Sequence, residues 1–295
     1  MKISKGEVAK SKDKTFVRIG VDTLPDLPKD NTDRNRTSPF AFTGNKFEFR
    51  MVPSSGSISG PNVVLNTIVA ESLDEIATRL EKCKDVNKEV AKIIKDVMKE
   101  HGRIIFNGDN YSENWAKEAA KRGLANTRST VEALDALVTK KSETLFENYK
   151  VLTKEELHSR YEIYLETYAK QVNIEAKASI DMVQTLYVPA VIKYSSFLSK
   201  NIKNLKEVGV ASDVQEKILS KITTLLTSAY DELQILKDDT KKAQAIKEIA
   251  EKSVFYRDKV FVSMKNLRKS IDELETIVAK EYWPVPSYAD LTFRL

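Results

Sequence analysis

Asn35 to Arg50 reads NRTSPFAFTGNKFEFR. From Lys46 to Arg50 the pattern alternates strictly. In an extended strand Lys46, Glu48 and Arg50 share one face, and Phe47 and Phe49 share the other. The aromatic face reads as core. The opposite face carries a cation, an anion and a cation in a row, and a bare K-x-E-x-R of this kind is ordinarily a solvated surface strand. A Gly44-Asn45 turn precedes it. Before that, Arg34-Asn35-Arg36 adds further fixed cations. Arginine offers a planar fork suited to phosphate and carboxylate oxygens. A carboxylate among such cations could instead hold a divalent metal beside phosphates. Phosphoryl transfer uses that combination, because its catalysis is mostly positioning and charge neutralisation.

The bulk properties narrow the classes. A chain of 295 residues predicts one or two domains and can bury a sizeable core. Charged residues make up 31% and hydrophobic ones 41%, as in a helix-rich soluble protein. The net charge of +5 comes from 48 basic against 43 acidic side chains, and the two signs are interspersed. No cationic stripe interleaves with aromatics, so a nucleic-acid partner is not expected. A lone cysteine, Cys83, rules out an intrachain disulfide and reads as a packing residue on a helix. No apolar leader follows Met1, and no run approaches the length of a membrane span. No membrane partner is therefore expected, and the expected location is cytoplasmic.

Along the chain, Ile3 to Lys14 reads as an exposed helix end or loop, Thr15 to Val21 as a short strand, and Leu24 to Pro28 as extended. Met51 to Pro61 is a Ser/Gly/Pro loop. A helix is expected from Pro61 to about Leu80, with its inward stripe at Val64, Ile68, Ser72, Ile76 and Leu80. Beyond Cys83 the chain reads as helix almost throughout. Lys84 to Lys99 is amphipathic. Ile104 to Phe106 is a turn or short strand. Tyr111 to Arg122 is a helix stopped by Gly123. Thr127 or Ser129 caps a helix to about Tyr149. Thr153 to Glu156 forms a capping box for a long helix towards Leu198, which Pro189 should kink. Val214 to Leu236 and Val260 to Val278 step by three and four residues and predict an antiparallel helical hairpin, with Asp238-Asp239-Thr240 as its tight turn. Tyr282 to Tyr288 is aromatic and proline-rich, is expected to be non-helical, and should lie back on the protein.

Asn35-Arg36-Thr37, followed by Asn45-Lys46-Phe47-Glu48-Phe49-Arg50, resembles the late active-site segment of glutamine synthetase. There an N-R-[ST] element precedes a strand with a basic-x-Glu-x-Arg pattern. GVDTLPDLP at Gly20 to Pro28, GSISGPN at Gly56 to Asn62, FNGDNYSENW at Phe106 to Trp115, LHSRYEIYLE at Leu157 to Glu166 and the closing W-P-x-P-x-Y at Trp283 to Tyr288 are similar to the long, type III branch. The resemblance covers essentially the whole chain. It implies an α+β, predominantly α-helical fold: residues 1–82 as the end of the catalytic domain with a remnant of its sheet, and residues 83–295 as a helical C-terminal region. The family's sheet is followed by a comparable buried helix, which agrees with the order read above.

The resemblance also implies a chemistry. Glutamine synthetases transfer the terminal phosphoryl group of ATP to glutamate, and ammonia then displaces phosphate from γ-glutamyl phosphate. Two divalent metals, Mg²⁺ or Mn²⁺, neutralise the phosphates. By resemblance Arg36 contacts the nucleotide phosphates, Glu48 is a metal ligand, Arg50 stabilises the transferring group and the substrate carboxyl, and Lys46 approaches the nucleotide. A second arginine, which many members carry shortly after N-R-S, is replaced by Phe40-Ala41-Phe42. What takes its place at Ala41 is open. The family's other metal ligands, several carboxylates and a histidine, precede this segment. His101 and His158 follow it and read as capping or surface residues. One carboxylate does not hold a two-metal site. The chain therefore resembles a carboxy-terminal part of the enzyme that is inactive alone and needs upstream sequence or a full-length partner. In the family the assembly is a homo-oligomer, a dodecamer. The alternative is a non-catalytic helical scaffold with a vestigial active-site strand.

Overall fold

The computed structural model describes residues 56–105 and 113–293, apart from the side chains of Tyr288 and Phe293, and before them only the backbone of four short strands. Strands β1 (Phe16–Val17) and β2 (Leu27–Pro28) pair antiparallel, Phe16 opposite Pro28. Strands β3 (Phe40–Phe42) and β4 (Phe47–Phe49) also pair antiparallel, with Ala41 opposite Glu48. The rest of the described chain is predominantly helical. It divides into two compact units, residues 1–127 with 143–153, and residues 128–142 with 154–295.

In the first unit, α1 (Ser59–Glu81) and α2 (Val86–His101) are joined by a short turn. Asp85 caps α2 by accepting from the Lys88 amide at 3.1 Å. Arg79 of α1 reaches across to Glu89 at 2.7 Å and Asp96 at 3.1 Å. Only Thr67 of α1 is buried, and Ile68 and Ile76 of the expected inward stripe are 40% and 36% exposed. The reason lies in the distribution: Val63, Ile68, Val69, Leu73 and Ile76 surround the helix, so covering one face leaves the others open. Cys83 sits in the turn after α1 rather than on the helix, half-buried, its amide donating to Leu80. The strand alternative at Ile104 is replaced by a 3₁₀ turn, Gly102–Ile104. Helix α3 (Glu113–Lys121) ends in a Schellman closure: Leu124 N–H donates to Ala119 at 3.0 Å, and Gly123 takes a φ of 67° that a Cβ would strain.

The single helix expected up to Tyr149 is broken. Ser129 caps α4 (Thr130–Leu134), a 3₁₀ turn follows, and α5 (Lys140–Asn148) starts afresh. Thr139 causes the restart: it is extended, at ψ 150°, and its hydroxyl accepts from the Ser142 amide at 3.3 Å.

The second unit is built on helices α6 (Lys154–Met182), α7 (Val188–Glu207), α8 (Asp213–Ala245), α9 (Ile249–Phe255) and α10 (Phe261–Glu275). A π-helical turn at Val183–Tyr187 joins α6 to α7, and another at Tyr256–Val260 joins α9 to α10. The first falls just before Pro189. Val188 N–H reaches back five residues to Val183, and the proline, which has no N–H to give, follows it.

The core runs along heptad-like positions: Leu165, Ala169, Val172 and Ala176 of α6, Ile222, Ala229, Leu233 and Leu236 of α8, and Val260, Leu267, Ile271 and Leu274 around α10. Contacts between α8 and α10 step in opposite directions: Lys221 to Glu273 at 2.7 Å, Ser228 to Ser270 at 3.2 Å, Asp239 to Ser263 at 2.7 Å. The expected turn at Asp238-Asp239-Thr240 is not there, because α8 runs straight through it. Thr240 is in register with Leu233 and Leu236, is buried, and donates its hydroxyl to the Leu236 carbonyl at 2.7 Å. The chain leaves α8 at Ile246 instead, and Glu248 caps α9 through the amides of Ala250 and Glu251.

Candidate functional site

Arg36, Lys46 and Arg50 lie outside the described residues. Glu48 is placed by backbone alone, in β4 opposite Ala41. Among the described residues no group of three or more His, Cys, Asp or Glu is gathered so as to hold a metal ion. The described residues therefore do not fit the two-metal centre that the resemblance implies. His101 closes α2 and lies 3.7 Å from Glu100, an exposed contact. His158 is half-buried in the first turns of α6.

The described residues do build one concave site, within the second unit. It is an open groove of about 890 Å³ between α6 and α10. Met182, Val183, Met264, Leu267 and Ile271 line it, and Val285, Pro286 and Leu291 of the closing segment form a wall. Tyr187 of the π turn stands at the edge and packs on Trp283, ring centroids 5.1 Å apart. Helix spacing explains why one turn of α10 supplies both floor and rim. Met264, Leu267 and Ile271 point inward at steps of three and four, and Lys265, Arg268 and Asp272 follow the same period beside them.

The polar rim is self-satisfied. Arg268 donates to Asp272 at 3.1 Å, Glu175 accepts from Gln171 at 2.8 Å, and Lys265 sits 5.6 Å from the Phe261 ring centre. No His or Cys lines the groove. It holds no base beside a nucleophile, so its chemistry is that of apolar contact rather than proton transfer. Sequence reasoning took Met264, Leu267 and Ile271 for plain core. Their neighbours Met182 and Val285 come from far along the chain, so no local pattern announces the groove.

A second polar cluster ties α4 to the second unit's helices. Arg257 bonds Asp258 at 2.6 Å and reaches Glu132 at 3.4 Å, and Tyr161 donates to Asp135 at 3.1 Å. The hydrogen bond from Arg257 holds the Asp258 carboxyl below the ordinary carboxylate range. Burial and then Asp135 push the Tyr161 phenol up. These shifts follow from structural ion pairing and need no ligand.

Comparison with known proteins locates the chain. A family model described as the glutamine synthetase C-terminal domain matches residues 89–206. A relative from Dictyostelium discoideum named type-3 glutamine synthetase is 41% identical over 287 residues, which is 93% of this chain and 39% of its own. One from Butyrivibrio fibrisolvens named glutamine synthetase is 34% identical, over 90% of this chain and 39% of its own. A third, from Bacteroides fragilis (strain YCH46) and also named glutamine synthetase, is 32% identical, over 95% of this chain and 40% of its own. The chain thus spans about two fifths of the length of the curated relatives it matches.

Proposed function

Taking as premise that the chain belongs to the glutamine synthetase family and corresponds to its carboxy-terminal part, we propose that it serves ATP-dependent formation of glutamine from glutamate and ammonia. The observation that carries this is the 41% identity maintained along 93% of the chain, active-site segment included. In this reading residues 1–82 belong with the catalytic domain and residues 83–295 are the helical region of the type III branch. Arg36 contacts the phosphates of ATP, with Lys46 beside it. Arg50 faces the transferring phosphoryl group and the glutamate carboxyl, and Glu48 is one ligand for Mg²⁺ or Mn²⁺. The setting is a cytoplasmic homo-oligomer, a dodecamer as in the family.

One carboxylate does not build a two-metal centre, so the chain by itself is proposed to be inactive. The described residues offer no second ligand cluster, which supports that reading. The same finding favours the second reading, a helical scaffold whose active-site strand is vestigial.

Both are tested on the purified chain. ATP- and ammonia-dependent glutamine formation is expected to be absent, and clear turnover overturns the proposed inactivity. ATP titration separates the two readings. Arg36→Ala and Arg50→Ala are each expected to weaken binding about tenfold, the size of one charge-assisted contact. Binding that both variants leave unchanged favours the scaffold.

A further inference from the structure

The closing segment is held in a way that its sequence does not require. Tyr282 packs among Tyr194 and Phe197, with ring centroids 5.3 and 5.9 Å away, and Trp283 is buried against Tyr187. These rings anchor the chain at one point. From there Pro284-Val285-Pro286 crosses to the groove, and neither proline has an N–H with which to tie itself down.

Beyond the prolines, α11 (Tyr288–Phe293) opens with a reciprocal capping box. Ser287 N–H and Oγ donate to Asp290 at 3.0 and 2.8 Å, and the Asp290 amide donates back to Ser287 Oγ at 3.3 Å. Lys280, on the near side of the anchor, donates to the other oxygen of the same carboxylate. Asp290 thus closes a loop of chain from Lys280 to Leu291. The clasp sits at the surface, with the Lys280 side chain 77% exposed, where such ion pairs hold weakly. What the loop carries is one wall of the groove: Val285, Pro286 and Leu291. The wall opposite belongs to α6 and α10, which are buried in the core on their other faces.

We infer that residues 284–291 are a hinged strap, anchored at Trp283 and clasped by Asp290, and that release of the clasp opens the groove between α6 and α10. The hinge is the stretch between the aromatic anchor and Ser287. The moving part carries apolar side chains, so opening exposes Met182, Met264 and Ile271 together. Short, weakly clasped segments at the rim of a packed unit open locally at free energies well below global unfolding. The anchor lies outside the moving part, so the core need not respond.

Hydrogen exchange on the full chain, followed by mass spectrometry, tests this. In Asp290→Asn the amides of residues 285–292 are expected to exchange about tenfold faster, with protection of α8 and α10 unchanged. Anilinonaphthalene sulfonate fluorescence should rise with it, as the groove opens to the dye. Lys280→Met removes the Lys280 bond alone and should give the same pattern at smaller amplitude. Unchanged exchange in Asp290→Asn overturns the inference. So does acceleration spreading equally into α10, which would make Asp290 a general structural prop.

Discussion

Helices α1 and α8 are both long and both rich in aliphatic residues, yet they end differently. Six large apolar residues of α8, Ile222, Leu225, Leu226, Leu233, Leu236 and Ile218, are buried or packed on the core. In α1, Val63, Ile68, Val69, Leu73 and Ile76 stay 36% or more exposed, and Thr67 alone is buried. The difference is phase. In α8 the apolar positions keep to one stripe at steps of three and four, and α7 and α10 supply matching stripes. In α1 they are spread around the axis, so α2 covers a part and no more. Apolar content gives a helix something to bury. Only its arrangement decides whether neighbours can bury it.

The sharpest way to break that comparison is to cut α8 at the point where the sequence reads as a turn. Thr240→Pro in a tight turn would be tolerated. In the middle of a helix it removes a backbone bond and clashes with the carbonyl of Leu236, a cost of about 3 kcal/mol or more. A large fall in the urea midpoint of the second unit is expected, and wild-type stability would refute the continuous helix.

The next largest contrast pairs truncations in the two helical systems. Leu267→Ala, which empties a side chain 2% exposed, should cost on the order of 3 kcal/mol. Leu73→Ala in α1, where the side chain is 60% exposed, should cost less than about 1 kcal/mol by the same denaturation. Equal losses would mean that α1 is covered as α8 is.

The smallest effect concerns Asp290. Lys280 first, and then Ser287, lower its carboxyl to about 2 from an ordinary 3.8. A depressed folded value means stability that is present above the ordinary value and lost as pH falls through about 2. Carboxyl NMR of Asp290 should titrate near 2 in the wild type, and Lys280→Ala should move the midpoint up towards the ordinary range. A midpoint indifferent to Lys280 would remove that residue from the clasp.

Much of the helical region was legible. The stripe from Val260 to Leu274 depends only on period, and period is local. Gly123 and Ser129 carried their caps for the same reason. The misreadings share a physical source. Asp238-Asp239-Thr240 has the composition of a turn, but Thr240 also stands where the stripe needs a small buried residue and satisfies its hydroxyl on its own helix. The break at Thr139 went unread although Thr139 and Ser142 carry cap chemistry. The groove was illegible because Met182, Met264 and Val285 are far apart in sequence, and each looks like core. Of the site residues read by resemblance, Arg36, Lys46 and Arg50 lie outside the described residues, and Glu48 is placed by backbone alone.

The π turn at Val183–Tyr187 has a consequence for how this chain can vary. It accommodates one residue more than an α-turn would in the same rise. Deleting any one residue there would restore α geometry and rotate everything after it by about 100°. Val191 and Leu198, both buried, would swing away from the core together. At this point the fold counts residues rather than choosing them: substitutions within the turn are absorbed, and a change in its length is not.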